Sequence, residues 1–252
     1  MKKIALITGA TSGIGKATAE RLAENGFDII ITGRRKEKLQ ELEDVLKKEY
    51  NADVLSLEFD VRNYAEVEKY LGSLPERWKR VDVLVNNAGL AVGLNSIQEG
   101  VVDDWERMVD TNVKGLLYVT RIISPGMVER RSGHIINIGS IASREVYANG
   151  GVYCATKHAV KALSQGMRLD MVDYGVKVTL VCPGAVETEF SVVRFKGDQT
   201  RADKVYDGFV PLAAEDVADA IYYAVSAPDH VDVQDVLLMA KAQASATVFH
   251  KE

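Results

Sequence analysis

The chain passes from its first apolar run into a helical segment through Thr8-Gly9-Ala10-Thr11-Ser12-Gly13-Ile14-Gly15. A strand, a glycine turn and a helix in this order form the context in which a backbone loop binds phosphate. Glycine lets the backbone approach a pyrophosphate closely, and the start of a helix offers unpaired N–H groups and a partial positive charge. The spacing Gly-x-x-x-Gly-x-Gly differs from the commoner Gly-x-Gly-x-x-Gly, and tight turns also collect glycine. The position of this run between a strand and a helix favours phosphate binding over a simple turn.

Short β-branched apolar runs alternate with segments of helical period along the rest of the chain, which predicts βαβ units around a buried parallel sheet. The predicted strands are Ile4 to Thr8, Asp28 to Thr32, Asp53 to Glu58, Val81 to Asn86, His134 to Ile138, Lys177 to Cys182 and Val236 to Met239. The predicted helices are Gly15 to Glu24, Lys36 to Glu49, Tyr64 to Leu74, Trp105 to Met127, Val152 to Tyr174 and Ala214 to Ala227. No linker divides residues 1–252, so we predict one α/β domain with a Rossmann-type, doubly wound parallel sheet. Residues 187–210 are polar and lack a clear period, which predicts a substrate loop or lid within that domain.

Composition excludes several classes of protein. The 252 residues are 47% hydrophobic and 27% charged with a net charge of -5, which indicates neither a nucleic-acid nor an anionic-membrane partner. The two cysteines, Cys154 and Cys182, and the four histidines show no metal-ligand spacing, so we expect no metal site. Sparse cysteine also favours a reducing, cytoplasmic location. No apolar stretch approaches the ~20 residues needed to cross a bilayer.

The end of the second predicted strand indicates which nicotinamide cofactor the loop accepts. An NAD-specific site places Asp or Glu there to bind the ribose hydroxyls. This chain has Ile31-Thr32-Gly33-Arg34-Arg35, and two guanidinium groups can bind a 2′-phosphate. The alternative is that Arg34 and Arg35 are only solvent-exposed charges at the start of a helix. It is less favoured because a helix N-terminus disfavours positive charge. NADP is therefore the predicted cofactor, and we expect Asp60 and Val61 near its adenine, although Asp60 could also cap the next helix.

Tyr153 and Lys157 lie four residues apart in a predicted helix, so their side chains share one face. A free phenol titrates near ~10, and a neighbouring ammonium favours the phenolate and brings the pKa toward the working range. Lowering it by about three units requires roughly 4 kcal/mol of differential stabilisation. Such a pair is also common by chance on exposed helices, so the residues that precede it must support an acid/base role.

Those residues together resemble the short-chain dehydrogenase/reductases over essentially the whole chain. The matching elements, in the order that the family shows, are Gly9 to Gly15, Asn86-Asn87-Ala88-Gly89, Asn112, Ser140, Tyr153, Lys157 and Pro183-Gly184. The resemblance implies a Rossmann-type fold in which Ser, Tyr and Lys assist hydride transfer between a nicotinamide and an alcohol or carbonyl carbon. Each motif is weak alone, but seven in the right order make a chance match very improbable.

The resemblance also implies a role for each residue. Ser140 would position the substrate oxygen, Tyr153 would exchange a proton with it, Lys157 would bind the nicotinamide ribose and lower the pKa of the phenol, and Asn112 would hold a water. The implied cofactor contacts are Gly9, Thr11, Ser12, Gly13, Ile14, Gly15, Arg34, Arg35, Asp60, Val61, Asn87, Ala88, Gly89, Tyr153, Lys157, Pro183, Gly184, Val186 and Thr188. For Asn86 and Asn87 an equal alternative is that their amides tie neighbouring strand ends together.

Longer stretches resemble one group within this family, the NADP-dependent 3-hydroxy acid dehydrogenases. The distinguishing run is Glu189-Phe190-Ser191-Val192-Val193-Arg194-Phe195-Lys196-Gly197-Asp198, which falls in the predicted lid. That group oxidises serine, allo-threonine or 3-hydroxyisobutyrate and reduces the corresponding semialdehydes. A hydroxy acid carries a carboxylate, which needs a cation or a set of N–H donors. Arg194 is our hypothesis for that cation, with an ion pair to an acidic residue as its alternative, and Arg144 is a second candidate.

Two other functions remain open at this point: reduction of a different carbonyl, such as a 3-oxoacyl thioester or a sugar, and a catalytically silent NADP sensor. Intact Ser140, Tyr153, Lys157 and Asn112 argue against the sensor. The family resemblance also implies a homo-oligomer, expected as a homotetramer, with Trp105 to Met127 and Val152 to Tyr174 at the interface. The aperiodic tail Ala240 to Glu252 could pack on a partner subunit.

Overall fold

The computed structural model describes residues 2–252 and contains a seven-stranded, entirely parallel sheet. Its strands are β1 (Ile4–Thr8), β2 (Asp28–Gly33), β3 (Val54–Glu58), β4 (Val83–Asn86), β5 (Gly133–Ile138), β6 (Val176–Pro183) and β7 (Asp235–Leu238). They lie side by side in the order β3-β2-β1-β4-β5-β6-β7. This is the doubly wound order that the strand and helix alternation predicts. Every predicted strand is present, with bounds that differ by two residues at most.

Helices cover both faces of the sheet. They are α1 (Gly13–Glu24), α2 (Lys36–Tyr50), α3 (Tyr64–Gly72), α4 (Val102–Val109), α5 (Leu116–Arg130), α6 (Gly151–Met171), α7 (Phe190–Arg194), α8 (Gln199–Asp203) and α9 (Ala214–Ser226). The single helix predicted over Trp105 to Met127 is α4 and α5 joined by a π-helical turn at Asp110–Gly115. Among residues 2–252 no helix combines the length and the apolar character needed to cross a membrane.

Alternation of side chains along each strand builds two hydrophobic layers. Leu6 and its neighbours on one face pack against α5 and α6, whereas Ile7 and its neighbours on the other face pack against α1, α2 and α9. Both residues are fully buried. Burying one such side chain contributes about 1.5–3 kcal/mol, so the two layers supply most of the stabilisation of the sheet. The near-continuous apolar strands of the sequence reflect this burial on both faces.

The strand order reverses between β1 and β4, and this reversal creates the crevice that positions the site. The chain builds β2 and β3 on one side of β1 and then continues with β4 on its other side. The loops that follow β1 and β4 therefore leave the same edge of the sheet in opposite directions. Ligands of open α/β sheets bind in this crevice, at the carboxyl ends of the strands.

The segment 187–210 contains two short helices, α7 and α8, that its aperiodic sequence did not predict. Helices of five residues are too short to show a hydrophobic period. The tail after β7 contacts this segment within the same chain, because Phe249 packs on Phe209 with ring centroids 4.9 Å apart and the Glu252 N–H donates to the Gly208 carbonyl at 2.9 Å. Packing of the tail on a partner subunit stays a prediction.

Candidate active site

The glycine loop after β1 is shaped by close backbone contacts. Gly9 and Gly13 have φ angles of +65° and +53°, a left-handed region that favours glycine. A Cβ on Gly9 would lie 2.9 Å from the Cα of Ala88, and one on Gly15 would clash with the side-chain amide of Asn87. Side chains at these positions would separate the loops after β1 and β4. Glycine at these positions therefore allows the two loops to pack closely beside the crevice.

The two adjacent asparagines after β4 have different partners. Asn86 donates to Asn137 Oδ1 at 2.9 Å and to Thr120 Oγ1 at 3.0 Å, inside the protein. Asn87 donates to the carbonyls of Thr8 and Gly9 at 2.9 and 3.1 Å. Asn86 therefore ties strand ends together, and Asn87 holds the glycine loop in place while it faces the cleft.

Arg35 joins three parts of the cleft rim. Its guanidinium donates to Thr11 Oγ1 at 2.9 Å, to Ser12 Oγ at 2.8 Å and to Glu189 Oε2 at 2.8 Å. Arg34 lies 3.8 Å from an oxygen of Asp60. The guanidinium groups of Arg34 and Arg35 and the hydroxyls of Thr11 and Ser12 thus form a cationic, donor-rich corner beside the glycine loop, which we call the arginine corner. Such a corner fits a phosphate group.

Asp60 is hydrogen-bonded to Arg62, two residues further along the chain, and does not cap a helix. Burial raises the pKa of its carboxyl, but hydrogen bonds and the charge of Arg62 outweigh that effect and leave the pKa below its ordinary value. The cap of α3 is Asn63, whose side chain accepts from the Glu66 N–H. The alternative that Asp60 caps this helix was therefore wrong, because Asn63 lies at the correct position.

Asn112 lies in the π-helical turn and links three elements. Its Oδ1 accepts from the Leu90 N–H at 2.8 Å, and its Nδ2 donates to the Leu90 carbonyl at 2.8 Å and to Thr156 Oγ1 at 3.0 Å. These bonds fix the loop after β4 and the helix α6 that carries Tyr153 and Lys157. The water-holding role implied by the resemblance stays a prediction.

Ser140, Tyr153 and Lys157 meet at the bottom of the cleft. Ser140 caps the short helical turn that follows β5, where its hydroxyl accepts from the Ala142 N–H at 3.1 Å, and it lines the same cleft as Tyr153 and Lys157. Phe190 packs edge-on against the Tyr153 ring with centroids 5.8 Å apart. Lys157 donates to the Ile138 carbonyl at 2.8 Å, and its Nζ lies 5.9 Å from the centre of the Tyr153 ring. The predicted helical pair is therefore buried and faces the cleft.

Burial controls the charge of both members of the pair. It raises the pKa of Tyr153 above its ordinary value, while the nearby Ser140 hydroxyl and the charge of Arg194 oppose this rise. It also lowers the pKa of Lys157 to about 8. In this structure burial outweighs the opposing effects on the phenol, and the Lys157 ammonium is directed to the Ile138 carbonyl. The phenol of Tyr153 is consequently uncharged at pH 7. The lowering of the phenol pKa by Lys157 stays a prediction.

Arg194 lies beside this group at the end of α7. Its guanidinium carbon is 5.4 Å from the ring centre of Tyr147 and 5.9 Å from that of Tyr153, and Nη2 donates to the Tyr147 hydroxyl at 3.1 Å. Its Nε is buried without a hydrogen-bond partner, and no ion pair of Arg194 is found among residues 2–252. Arg144, the second candidate, is instead paired with Asp235.

A cleft of about 360 Å³ contains most of the predicted cofactor contacts. All of them except Gly15 line it, and so does Ser140, whereas Asn112 and Arg194 lie outside the lining. Sequence reasoning missed Tyr147, Glu189 and Thr111. Tyr147 and Glu189 belong to loops without a period, and Thr111 directly precedes Asn112, which was the one signal available for it.

The residues of the cleft fit a dinucleotide. The hydroxyls of Thr32 and Thr111 are buried without a hydrogen-bond partner among the described residues, and both side chains line the cleft. Buried polar groups are normally satisfied, so these two indicate a polar ligand. The glycine loop, the arginine corner and the Ser-Tyr-Lys group line the same crevice, and their chemistry suits the phosphates and the reacting end of such a ligand.

This fold and site define a dinucleotide-binding dehydrogenase. The model of the short chain dehydrogenase family matches residues 3–199, and the chain belongs to that family. It is 49% identical to the NADP-dependent 3-hydroxy acid dehydrogenase of Salmonella typhi, over 96% of this chain and 97% of that protein. It is 43% identical to sulfoacetaldehyde reductase 2 of Chromohalobacter salexigens, over 97% and 96% of the two chains. The closed form of a serine dehydrogenase complexed with NADP+ superposes with a TM-score of 0.92 at 47% identity, covering 99% of this chain and 100% of that one.

Proposed function

We propose that the protein is an NADP-dependent oxidoreductase that transfers a hydride between the nicotinamide and the 3-hydroxyl carbon of a small 3-hydroxy acid, such as serine, allo-threonine or 3-hydroxyisobutyrate. The observation that carries this proposal is the guanidinium of Arg194, which lies 5.9 Å from the Tyr153 ring with a buried, unpaired Nε. Arg194 has no carboxylate partner among residues 2–252 and lies beside the proton donor Tyr153. It therefore suits a substrate that carries an anionic group. The relatives named for 3-hydroxy acids and serine support the same substrate class.

The residues assigned to the cofactor divide by its chemical groups. The glycine loop and the start of α1 would bind the pyrophosphate, and the arginine corner would bind the 2′-phosphate. Pro183, Gly184, Val186 and Thr188 would lie along the nicotinamide, since they follow β6 and line the same cleft. When bound, NADP supplies or accepts the hydride.

The proton is handled by the protein. In reduction, the neutral phenol of Tyr153 donates its proton to the substrate oxygen while the Ser140 hydroxyl holds that oxygen in place. In oxidation the phenol must first lose its proton, and the positive charges of Lys157 and Arg194 favour the phenolate. Because Lys157 has a pKa of about 8, its charge is present at neutral pH and declines under alkaline conditions.

The role of Arg194 can be tested by removing its charge. We expect Arg194→Met to raise the KM for a 3-hydroxy acid by about 10- to 100-fold, because a charge-assisted hydrogen bond contributes about 1.5–3 kcal/mol. The matched control is Arg201→Met in the same segment, whose exposed guanidinium lies 4.5 Å from the Phe195 ring centre. Initial rates at saturating NADP measure both variants. An unchanged KM in Arg194→Met would contradict the assignment.

A second candidate substrate is sulfoacetaldehyde. It places a sulfonate where a hydroxy acid has its carboxylate, and the same guanidinium could bind either anion. The relative named sulfoacetaldehyde reductase 2 favours this candidate. Comparing kcat/KM for sulfoacetaldehyde and for malonic semialdehyde with NADPH separates the two, since the physiological class should be preferred.

Three further features belong to this proposal. Residues 187–210 act as a lid that carries Arg194 over the substrate. The protein is a homotetramer of the cytoplasm, and apolar side chains such as Leu117, Leu169 and Val172 are exposed on the helices expected at the interface. Light scattering tests the assembly, and a monomer at micromolar concentration would contradict it.

A further inference from the structure

Asp104 on α4 is a buried carboxylate whose charged partner lies in the segment 187–210. The residue is only 3% exposed, and its Oδ2 has no hydrogen bond of good geometry. Lys196 Nζ lies 2.8 Å from that oxygen and is its counter-ion in this part of the chain. An unpaired buried charge is strongly unfavourable, so the carboxylate requires this lysine for as long as it stays buried.

The backbone around Lys196 is held in an unusual conformation. Lys196 has a φ of +56°, a left-handed angle that costs a residue other than glycine energy unless surrounding contacts maintain it. One such contact lies two residues earlier, where the carbonyl of Arg194 accepts from the Gly93 N–H at 3.0 Å. Gly93 is itself in contact range of Asp104, because a Cβ there would lie 2.8 Å from Oδ2. The ion pair therefore fastens this short stretch to α4, and the backbone bond fastens it to the loop after β4.

That stretch determines where Arg194 points. Its guanidinium reaches the rings of Tyr147 and Tyr153 only if the end of α7 stays in register with α4 and the loop that follows β4. We infer that Asp104 and Lys196 form a positioning pair, which sets the guanidinium of Arg194 for the carboxylate of the substrate. Neither residue contacts the reacting atoms, and the inference rests on the proposed function of Arg194.

The test is Lys196→Met in the full-length protein, with a charged substrate and its neutral methyl ester. We expect the KM for 3-hydroxyisobutyrate to rise about 10-fold or more, because a small displacement of a binding group can reduce rates by as much as 10²-fold. The KM for its methyl ester, which lacks the carboxylate, should stay unchanged, as should kcat for the acid and the Kd of NADP. An equal loss of kcat/KM for the acid and for the ester would indicate general disorder of the lid and would overturn the inference.

Control variants separate positioning from stability. Lys204→Met removes an exposed lysine of the same segment that has no ion pair among the described residues, and it should behave as the wild type. Lys196→Arg should restore much of the affinity for the acid. Asp104→Asn combined with Lys196→Met leaves no buried charge, so it should fold well yet keep the raised KM of the single variant. If the double variant recovers wild-type KM, the pair does not position Arg194.

The outcome for the wild type keeps the two proposals apart. If the wild type does not oxidise 3-hydroxyisobutyrate or any other 3-hydroxy acid, the proposed function fails. If it does, and Lys196→Met has an unchanged KM for the acid, only the positioning role fails.

Discussion

The proposed chemistry depends on Tyr153, whose surroundings contain one hydroxyl and two cations. Ser140, Lys157 and Arg194 approach it from the turn after β5, from its own helix and from α7. The sequence predicted the first two because they recur in a family order, and it offered Arg194 as the cation for a substrate carboxylate. It could not predict Tyr147, which places Arg194, because a tyrosine in an aperiodic loop has no distinguishing spacing. The raised pKa of Tyr153 was also unpredictable, since burial is a property of the packed structure.

Removing the Tyr153 hydroxyl separates an enzyme from a sensor. Tyr153→Phe should lower kcat by about 10²- to 10⁴-fold, since this is the usual contribution of a positioned acid or base. The Kd of NADP, measured by quenching of protein fluorescence, should change little because the ring remains. Tyr174→Phe, at an exposed tyrosine, serves as the control. No turnover in either the wild type or Tyr153→Phe, with NADP still bound, would favour the silent sensor, whereas turnover equal to that of an active wild type would contradict the role of Tyr153.

Burial of the Lys157 ammonium in the site destabilises the folded protein. Its folded-state pKa of about 8 lies below the ordinary 10.5, so the folded protein disfavours the ammonium. The penalty is complete below pH 8 and disappears as the pH rises toward the unfolded pKa. Lys157→Met should therefore raise the free energy of unfolding at pH 7 by about 2 kcal/mol, after about 1 kcal/mol is lost with the hydrogen bond to Ile138.

Urea denaturation at pH 7 and at pH 10 measures this effect. The advantage of Lys157→Met over the wild type should shrink at the higher pH, because Lys157 is then neutral in the folded state and only the short interval between pH 10 and its unfolded pKa of 10.5 still contributes to the penalty. Lys161→Met, one turn further along α6, should show no such pH dependence. A variant less stable than the wild type at pH 7 would contradict the destabilising role of the buried lysine.

At the scale of elements, strands and long helices were predictable and short connections were not. The strands of the sheet have continuous apolar runs, and α6 has a clear period, so their bounds followed from the sequence to within a few residues. The π-helical turn at Asp110–Gly115 was not predicted because Asn112 is held there by tertiary hydrogen bonds to Leu90 and Thr156, which leave no period in the sequence. For α7 and α8, tertiary contacts rather than a period fix the helices.

The contact between α7 and the arginine corner leads to a prediction about the cofactor. Glu189 occupies one face of Arg35, the guanidinium assigned to the 2′-phosphate, so carboxylate and phosphate compete for it. An exposed ion pair contributes at most about 1 kcal/mol. Glu189→Gln should therefore tighten NADP binding up to about five-fold and leave NAD binding unchanged. Calorimetric titration of both cofactors checks this.

Glu187→Gln is the matched control for that experiment. It removes an exposed carboxylate two residues away that has no ion pair among residues 2–252, so it should alter neither affinity. Equal tightening of NADP and NAD in Glu189→Gln would show that the effect is one of overall charge. Weaker binding of NADP would show that Glu189 assists the phosphate site instead of competing with it.

At the scale of the molecule, the sheet order explains why residues distant in sequence share one cleft. The reversal between β1 and β4 brings the glycine loop, the arginine corner and the Ser-Tyr-Lys group to the same edge. The sequence predicted this arrangement because parallel strands in alternation with helices have few other solutions. The substrate end was less predictable, since it is built from residues 187–210 and the loop after β4, where contacts rather than periodic patterns set the geometry.

The central claim is that NADP and a 3-hydroxy acid are the reactants, and an initial-rate panel tests it most directly. The panel crosses NADP and NAD with serine, allo-threonine, 3-hydroxyisobutyrate, 3-hydroxypropionate and a neutral alcohol of similar size. We predict a higher kcat/KM with NADP than with NAD, and a higher kcat/KM for the acids than for the alcohol. A preference for NAD, or turnover of the alcohol without turnover of any acid, would contradict the account.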